Sequence, residues 1–209
     1  ANINGINAWA NGDNNFKGEF NLGSGDDGSA RVNLGAAGLK NMESDSVSIN
    51  LGAGTLGSYA DWSIAASSET ALGVFINLTS TQQGTTIDTL DSKDNVTAHT
   101  VTFMNGLSGN GKLVKTAGTL VLNGVAHEGF TGSVVLEEGD LIIKDETVIG
   151  GGKLLIGRGH TVALEKQLGT PGYYMLTANS TLGVFGNGGE VATLDASQVI
   201  FGGGTLSFD

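Results

Sequence analysis

A short step, Gly-X-Leu, recurs along this chain, and each copy ends a turn and begins an apolar segment. The step stands at Gly54–Leu56, Gly111–Leu113, Gly118–Leu120, Gly139–Leu141, Gly152–Leu154 and Gly204–Leu206. Glycine adopts positive φ angles at no steric cost, so it suits the turn, and the residues after it alternate with the period of two that strands require. Units that recur without intervening amphipathic helices predict an all-β chain of short, stacked strands.

The amino-acid composition supports many strands rather than disorder. The chain has 209 residues, of which 35 are glycine and one is proline, and 39% are hydrophobic. An ordinary protein contains about 7% glycine. The glycines follow no Gly-X-Y period, and runs of Val, Ile, Leu and Thr separate them. Short strands joined by tight turns fit this composition.

Strand signals are dense and helical signals are scarce. The period of two and the continuous apolar runs predict strands at Ala30–Leu34, Ser46–Leu51, Thr100–Phe103, Thr119–Leu122, Ser133–Leu136, Leu141–Ile143 and Lys153–Ile156. Residues 59–72 could hold one short helix or a longer loop. We interpret residues 1–209 as one domain, in which residues 1–70 are irregular or cap-like and residues 71–209 form the repeat region.

One run carries a family resemblance. Gly109–Leu122 places two short strands around glycine turns, and Phe130-Thr131-Gly132 and Gly139–Ile143 follow it. In this order the run resembles the passenger-associated β-strand repeat of bacterial autotransporters. The family pattern is roughly G-x-G-x-L-x-K-x-G-x-G-T-L-x-L, then an aromatic-T-G step, then G-T-L-x-[VI]. The resemblance implies a right-handed parallel β-helix, which is a β-solenoid.

The match is strongest from Ile87 to Ile143, and the chain departs from the family pattern in two places. Between Lys115 and Gly118 it is one residue shorter than the usual spacing. The interval from Asp88 to Val101 is longer than usual, which predicts an extruded loop.

The resemblance implies location and role rather than a reaction. It implies an exported segment, secreted or displayed on the bacterial cell surface, that is structural or adhesive and binds host glycoprotein, mucin or matrix through its loops. The outer-membrane barrel that anchors such passengers would lie elsewhere in the parent chain. No catalytic residue is carried over, so an enzyme is not the favoured prediction.

The charge and cysteine content exclude several functional classes. The formal net charge is −11, with only 10 lysines and arginines, so no basic stripe exists to neutralise the phosphates of a nucleic acid. No apolar stretch approaches the 18 or so residues of a membrane-spanning helix, so we expect no direct membrane insertion by this segment. The chain has no cysteine, which excludes disulfides and zinc-thiolate sites.

Three aspartates support an alternative prediction of function. Asp88-Thr89 and Asp91-Ser92 form a tandem pair, echoed at Asp195. Two close carboxylates can act as acid and base in an aspartic-type peptidase or a glycosidase, so the alternative is a secreted hydrolase of mucin-like glycoprotein or glycan. Leu90 and Lys93 stand where an aspartic peptidase has glycine. The other interpretation is that these aspartates cap turns.

Two further groups of residues are candidate binding sites. Asp13, Asp26 and Asp27 can supply oxygen ligands to Ca²⁺, although no complete calcium loop is present, and no other cofactor is expected.

The second group is aromatic. Aromatic faces stack on sugars or fill irregular parts of a core; the candidates are Trp9, Tyr59, Trp62, Tyr173 and Tyr174. The histidines, His99, His127 and His160, are isolated in the sequence, and we interpret them as surface or turn residues.

Overall fold

A computed structural model describes residues 2–6, 18–23, 28, 30–42, 47–66, 75–124, 127, 129–144, 153–156, 161–164, 173–176, 181–184, 199–201 and 203–208. These residues form twenty β-strands and no helix, which confirms the prediction of an all-β chain. The first ten strands are β1 (Asn2–Ile6), β2 (Gly18–Leu22), β3 (Arg31–Met42), β4 (Val47–Leu51), β5 (Gly54–Ser58), β6 (Trp62–Ala66), β7 (Ile76–Leu78), β8 (Thr85–Asp91), β9 (Thr100–Phe103) and β10 (Leu107–Gly109). The others are β11 (Lys112–Ala117), β12 (Thr119–Leu122), β13 (Ser133–Leu136), β14 (Asp140–Ile143), β15 (Lys153–Ile156), β16 (Thr161–Leu164), β17 (Tyr173–Leu176), β18 (Thr181–Val184), β19 (Val199–Phe201) and β20 (Thr205–Phe208).

The named strands pair in parallel and form three ladders. The first ladder runs β3-β5-β8-β11-β13-β15-β17-β19, and the second runs β3-β6-β9-β12-β14-β16-β18-β20. The long strand β3 belongs to both, and β1 pairs alongside it. The third ladder, β2-β4-β7-β10, is a separate four-stranded sheet. From β4 to β12 the strands visit the ladders in a fixed order, third, first and second, as in β4-β5-β6 and β7-β8-β9. From β13 to β20 the described strands alternate between the first and the second ladder.

The core lies under the inward-facing side of each ladder. In β12, for example, Leu120 and Leu122 are buried and Val121 between them is half-buried, which is the alternation that a strand covered on one face requires. Because the strands pair in register, buried side chains of successive strands stack: Val101 pairs with Leu120, and Leu120 pairs with Leu141. The core is therefore built of columns of mainly aliphatic side chains that run from strand to strand.

An asparagine ladder runs along the opposite face of the four-stranded sheet. The Asn77 side-chain amide donates to Asn50 Oδ1 at 3.0 Å, and the Asn50 amide donates to Asn21 Oδ1 at 2.9 Å. These three residues are in register on β7, β4 and β2. The Asn21 amide in turn donates to Glu19 Oε2 at 3.1 Å. The two asparagine–asparagine hydrogen bonds thus join neighbouring strands and favour this register of the sheet.

Glycine is required by geometry at two of the turns of the repeat. Gly109 has a φ of +83°, and a Cβ there would lie 2.4 Å from the Leu78 carbonyl oxygen. Gly118 has a φ of +61°, and a Cβ would lie 2.1 Å from Thr89 Oγ1 and 2.9 Å from the His99 carbonyl oxygen. Real Cβ atoms do not approach other atoms so closely, so only glycine lets adjacent layers approach each other here.

Residues 62–66 form strand β6, so the prediction of a helix or a longer loop over residues 59–72 was wrong there. Strand β6 pairs with β3 on one side and β9 on the other. Strands β2 to β6, all before residue 70, join the same ladders as the strands of the predicted repeat region. In the described part of the chain, no helix is long and apolar enough to cross a membrane.

Candidate functional site

A closed loop projects from the first ladder after β8. We call it the 91–99 loop. The Asp91 backbone N–H donates to the Thr97 carbonyl oxygen at 2.7 Å. Leu90 and Ala98 form an antiparallel bridge, the only isolated bridge within the described ranges. The loop closes on itself as a small hairpin beside the parallel ladders, and it lies within the interval in which the sequence predicts an extruded loop.

Asp94 organises the tip of the 91–99 loop. Its Oδ1 accepts hydrogen bonds from the backbone N–H groups of Val96 at 2.8 Å and Thr97 at 2.9 Å, and its Oδ2 accepts from the Thr97 hydroxyl at 2.7 Å. The hydrogen bond from the Thr97 hydroxyl has the largest effect on the Asp94 carboxylate, and together with the two backbone bonds it lowers the pKa of Asp94 to about 2. Asn95 has a φ of +54°, which asparagine tolerates better than most residues. Val96 beside it is 79% exposed.

His99 lies between two carboxylates from different layers. Its Nε2 is 3.2 Å from Asp91 Oδ2, and its Nδ1 is 3.4 Å from Asp61 Oδ1. Asp61 lies in the turn between β5 and β6, and its Oδ1 also accepts a hydrogen bond from the Thr100 backbone N–H at 2.8 Å. A backbone hydrogen bond from Lys93 lowers the pKa of Asp91, and the His99 ring lowers it further. No local sequence signal connects Asp61 with Asp91 and His99, because 30 positions or more separate it from them.

The structure gives Asp88 a different partner from Asp91. Asp88 Oδ2 forms an ion pair with Arg31 Nη2 at 2.9 Å. Arg31 in turn donates from Nε to Asn33 Oδ1 at 2.8 Å. The ion pair is largely open to solvent, with side chains 40% and 24% exposed, so it contributes roughly 1 kcal/mol or less to stability. Asp88 and Asp91, paired in the sequence hypothesis, thus hold separate groups.

The two described aromatic candidates have different environments. Trp62 is 4% exposed, its indole N–H donates to Ser58 Oγ at 2.8 Å, and its ring centroid lies 6.3 Å from that of Phe103. Its faces are therefore packed in the core rather than open to a sugar. Tyr59 is half-buried, and Lys93 Nζ lies 4.8 Å above the centre of its ring. This contact is a cation–π interaction that ties the 91–99 loop to the preceding turn.

Several candidates have no described side chain. Tyr173 and Tyr174 lie on β17, where their backbones pair with Lys153 and Leu154 of β15. The others lie outside the described residues; they are Trp9, Asp13, Asp26, Asp27, His160 and Asp195. Within the described ranges no group of three or more His, Cys, Asp or Glu side chains is arranged to hold a metal ion. Calcium binding stays a prediction.

Lys115 is the residue that sequence analysis treated only as part of the repeat. Its side chain is fully buried, and no hydrogen-bond partner of Nζ exists among the described residues. Burial lowers the pKa of Lys115 to about 8, against the opposing effect of the Asp88 and Asp140 carboxylates. The signal was present in the sequence, because the period of two puts Lys115 on the same face as the buried Leu113.

No family model, no curated protein and no solved structure matches this chain.

Proposed function

We propose that this chain is a right-handed parallel β-helix. Each coil contributes one strand to the first ladder and one to the second, and the coils up to β12 also contribute one to the third. The regular order in which the chain returns to the same ladders supports this architecture, as in β7-β8-β9 and β10-β11-β12, and in the alternation of β13 to β20 between the first and second ladders. Crossover connections between parallel strands are right-handed in nearly all proteins, which supports the right-handed form. Such a stack is rigid along its length because every coil is hydrogen-bonded to the next.

We further propose that the chain serves as an exported structural and adhesive segment of an autotransporter-like protein, and that the 91–99 loop contacts host glycoprotein, mucin or matrix. The carrying observation is that the loop is held by its own hydrogen bonds while its tip residue Val96 is 79% exposed. A loop that is ordered before binding loses little conformational entropy when it binds. Binding residues are typically carried on loops that a rigid scaffold positions.

The charged residues around the 91–99 loop indicate which kind of partner surface it would bind. Asp61 is exposed, its side chain 74% accessible, beside a loop that carries Asp91 and Asp94. Lys93, which belongs to the same loop, lies over Tyr59. The surroundings of the apolar tip are therefore mainly acidic, which favours a partner surface with basic groups around an apolar spot.

Binding to immobilised mucin-type glycoprotein and to matrix protein tests this function. We expect Val96→Asp to weaken binding at least tenfold, because the exposed apolar tip would then carry a charge into the interface. The matched control is Met104→Asp, which places the same charge on another exposed apolar residue, 48% accessible and outside the loop. Equal losses in the two variants, or no binding by the wild type, would contradict the proposal.

The hydrolase alternative receives less support from the described carboxylates. Asp88 is paired with Arg31, and the pKa of Asp91 is lowered, whereas a general acid must hold a proton near its working pH. The alternative is tested by the hydrolysis of casein and mucin-type glycoprotein at acidic and neutral pH. Cleavage that disappears in an Asp88→Asn, Asp91→Asn double variant would establish a carboxylate-dependent hydrolase and replace the adhesive proposal.

A further inference from the structure

We propose that His99 is a proton-operated latch, which ties the 91–99 loop to the preceding coil through Asp61 when its ring carries two protons and releases Asp61 when it carries one. The latch adds a regulatory element to the loop. Its existence does not depend on the adhesive role, whereas its effect on binding rests on that proposed function.

His99 can attract Asp91 and Asp61 at the same time only when both nitrogens of its ring carry a proton. The Asp91 and Asp61 oxygens lie 3.2 Å and 3.4 Å from opposite nitrogens of the His99 ring. Carboxylates only accept hydrogen bonds, and a neutral imidazole has one N–H donor and one lone pair. When the ring is doubly protonated, the contact with Asp91 is a charge-assisted hydrogen bond and the longer contact with Asp61 is an ion pair. In the neutral ring, one carboxylate faces a lone pair and is repelled.

Exposure decides which contact is lost. The Asp91 side chain is 15% exposed and the Asp61 side chain is 74% exposed. Water can replace the ring as a partner of Asp61 at little cost, whereas Asp91 would lose a partly buried hydrogen bond. The neutral ring therefore keeps its proton on Nε2 toward Asp91, and Asp61 turns toward solvent.

Hydrogen bonds hold the backbone of His99 in place, so it is the Asp61 turn that moves when Asp61 and the His99 ring separate. The His99 N–H donates to the Thr89 carbonyl at 2.8 Å, and the Thr119 N–H donates to the His99 carbonyl at 3.1 Å. When Asp61 turns away, the Thr100 N–H loses the acceptor that it has at 2.8 Å. The Thr100 amide thus reports the state of the latch directly.

The charged groups that face the His99 ring come from the β5–β6 turn and from the 91–99 loop. Asp61 approaches from the β5–β6 turn, and Asp91 and Asp94 belong to the loop. The pKa values of Asp91 and Asp94 are lowered, so both are ionised across pH 5 to 8, where histidines typically change charge. Lys93 of the loop is directed to Tyr59. Thr89 and Thr119, the backbone partners of His99 on β8 and β12, carry no charge.

Amide hydrogen exchange at Thr100 in the whole chain tests the latch. Protection is measured at pH 5.5 and pH 8.0 and divided by the intrinsic exchange at each pH. We expect Thr100 protection to be about tenfold lower at pH 8.0 in the wild type, because a charge-assisted contact has been lost. Protection that agrees within about twofold between the two pH values would overturn the proposal.

Variants separate the latch from other effects of pH. In Asp61→Asn the amide has an oxygen for the Thr100 N–H and an N–H₂ for the neutral ring, so we expect the pH dependence to disappear. His99→Gln should remove it as well, and the control His127→Gln should keep it. Because Asp61 is exposed, Asp61→Asn decides the question even if His99→Gln does not fold. A tenfold change that persists in Asp61→Asn would overturn the latch. Since Thr100 exchange does not measure binding, a failure of the adhesive proposal leaves this result unaffected.

Discussion

Lys115 pairs with Ile87 in the parallel ladder between β11 and β8, and both side chains are completely buried. On the other side Lys115 pairs with Leu136, which is also fully buried. A lysine therefore occupies a position in an otherwise aliphatic column. Burying an amine without a hydrogen-bond partner costs free energy, so this position lowers the stability of the ladder.

We expect Lys115→Met to raise the free energy of unfolding by about 1–3 kcal/mol at pH 7, because methionine fills a similar volume without an unpaired charge. Urea unfolding of the whole chain measures this change. The control is Lys112→Met on the same strand, where the side chain is half-buried and the change should stay within about 0.5 kcal/mol. Destabilisation by Lys115→Met would mean that the amine has a stabilising partner in solution.

The same lysine predicts a pH dependence of stability. The folded pKa of Lys115 is about 8, below its ordinary value of 10.5, so between these pH values the unfolded chain binds more protons than the folded chain. Stability therefore rises as the pH increases from about 8 to about 10.5, by about 3 kcal/mol in total. Below pH 8 both states are protonated, and the full penalty remains.

The measurement is the difference in unfolding free energy between Lys115→Met and the wild type, taken at pH 7.5 and at pH 10. The other titrating groups are common to both proteins, so the difference isolates Lys115. We expect this difference to shrink at the higher pH. A constant difference would show that the amine does not titrate differently in the two states.

We expect Gly118→Ala to destabilise the fold by about 2 kcal/mol or more, since the alanine Cβ would clash with Thr89 Oγ1 and the φ of +61° is unfavourable for it. Thermal or urea unfolding measures the loss. Gly129→Ala is the matched control, because a Cβ there would lie 3.4 Å from His127 Nδ1, its nearest neighbour in the described part of the chain. Similar stabilities of the two variants would contradict the close approach of the layers at Gly118.

We expect Ser58→Ala to cost about 1–3 kcal/mol, because it leaves the buried Trp62 indole N–H without its acceptor. In a Trp62→Phe background the same change should cost less, since no N–H remains to be satisfied. A double-mutant cycle by urea unfolding gives the coupling between the two residues. Strict additivity of the two changes would show that the hydrogen bond contributes nothing to stability.

The sequence by itself determined those strands that are marked by a local pattern of alternating residues and glycine turns. Thr100–Phe103, Thr119–Leu122, Ser133–Leu136 and Lys153–Ile156 are strands with the predicted bounds. Alternation and glycine turns are properties of adjacent residues, so they can be read without knowing the neighbouring layers. The extruded loop was predicted because the interval between Asp88 and Val101 is longer than in the family pattern that the sequence resembles.

Only the tertiary structure decided which residues meet between layers. Trp62 begins strand β6 because β3 and β9 pair with it on both sides, a pairing that no local signal in residues 59–72 announces. His99 meets Asp61 because the turn after β5 and the end of the 91–99 loop lie in adjacent layers. The contacts between layers depend on register and on the length of each connection. For that reason the site at His99 and the buried environment of Lys115 became visible only once the ladders were in place.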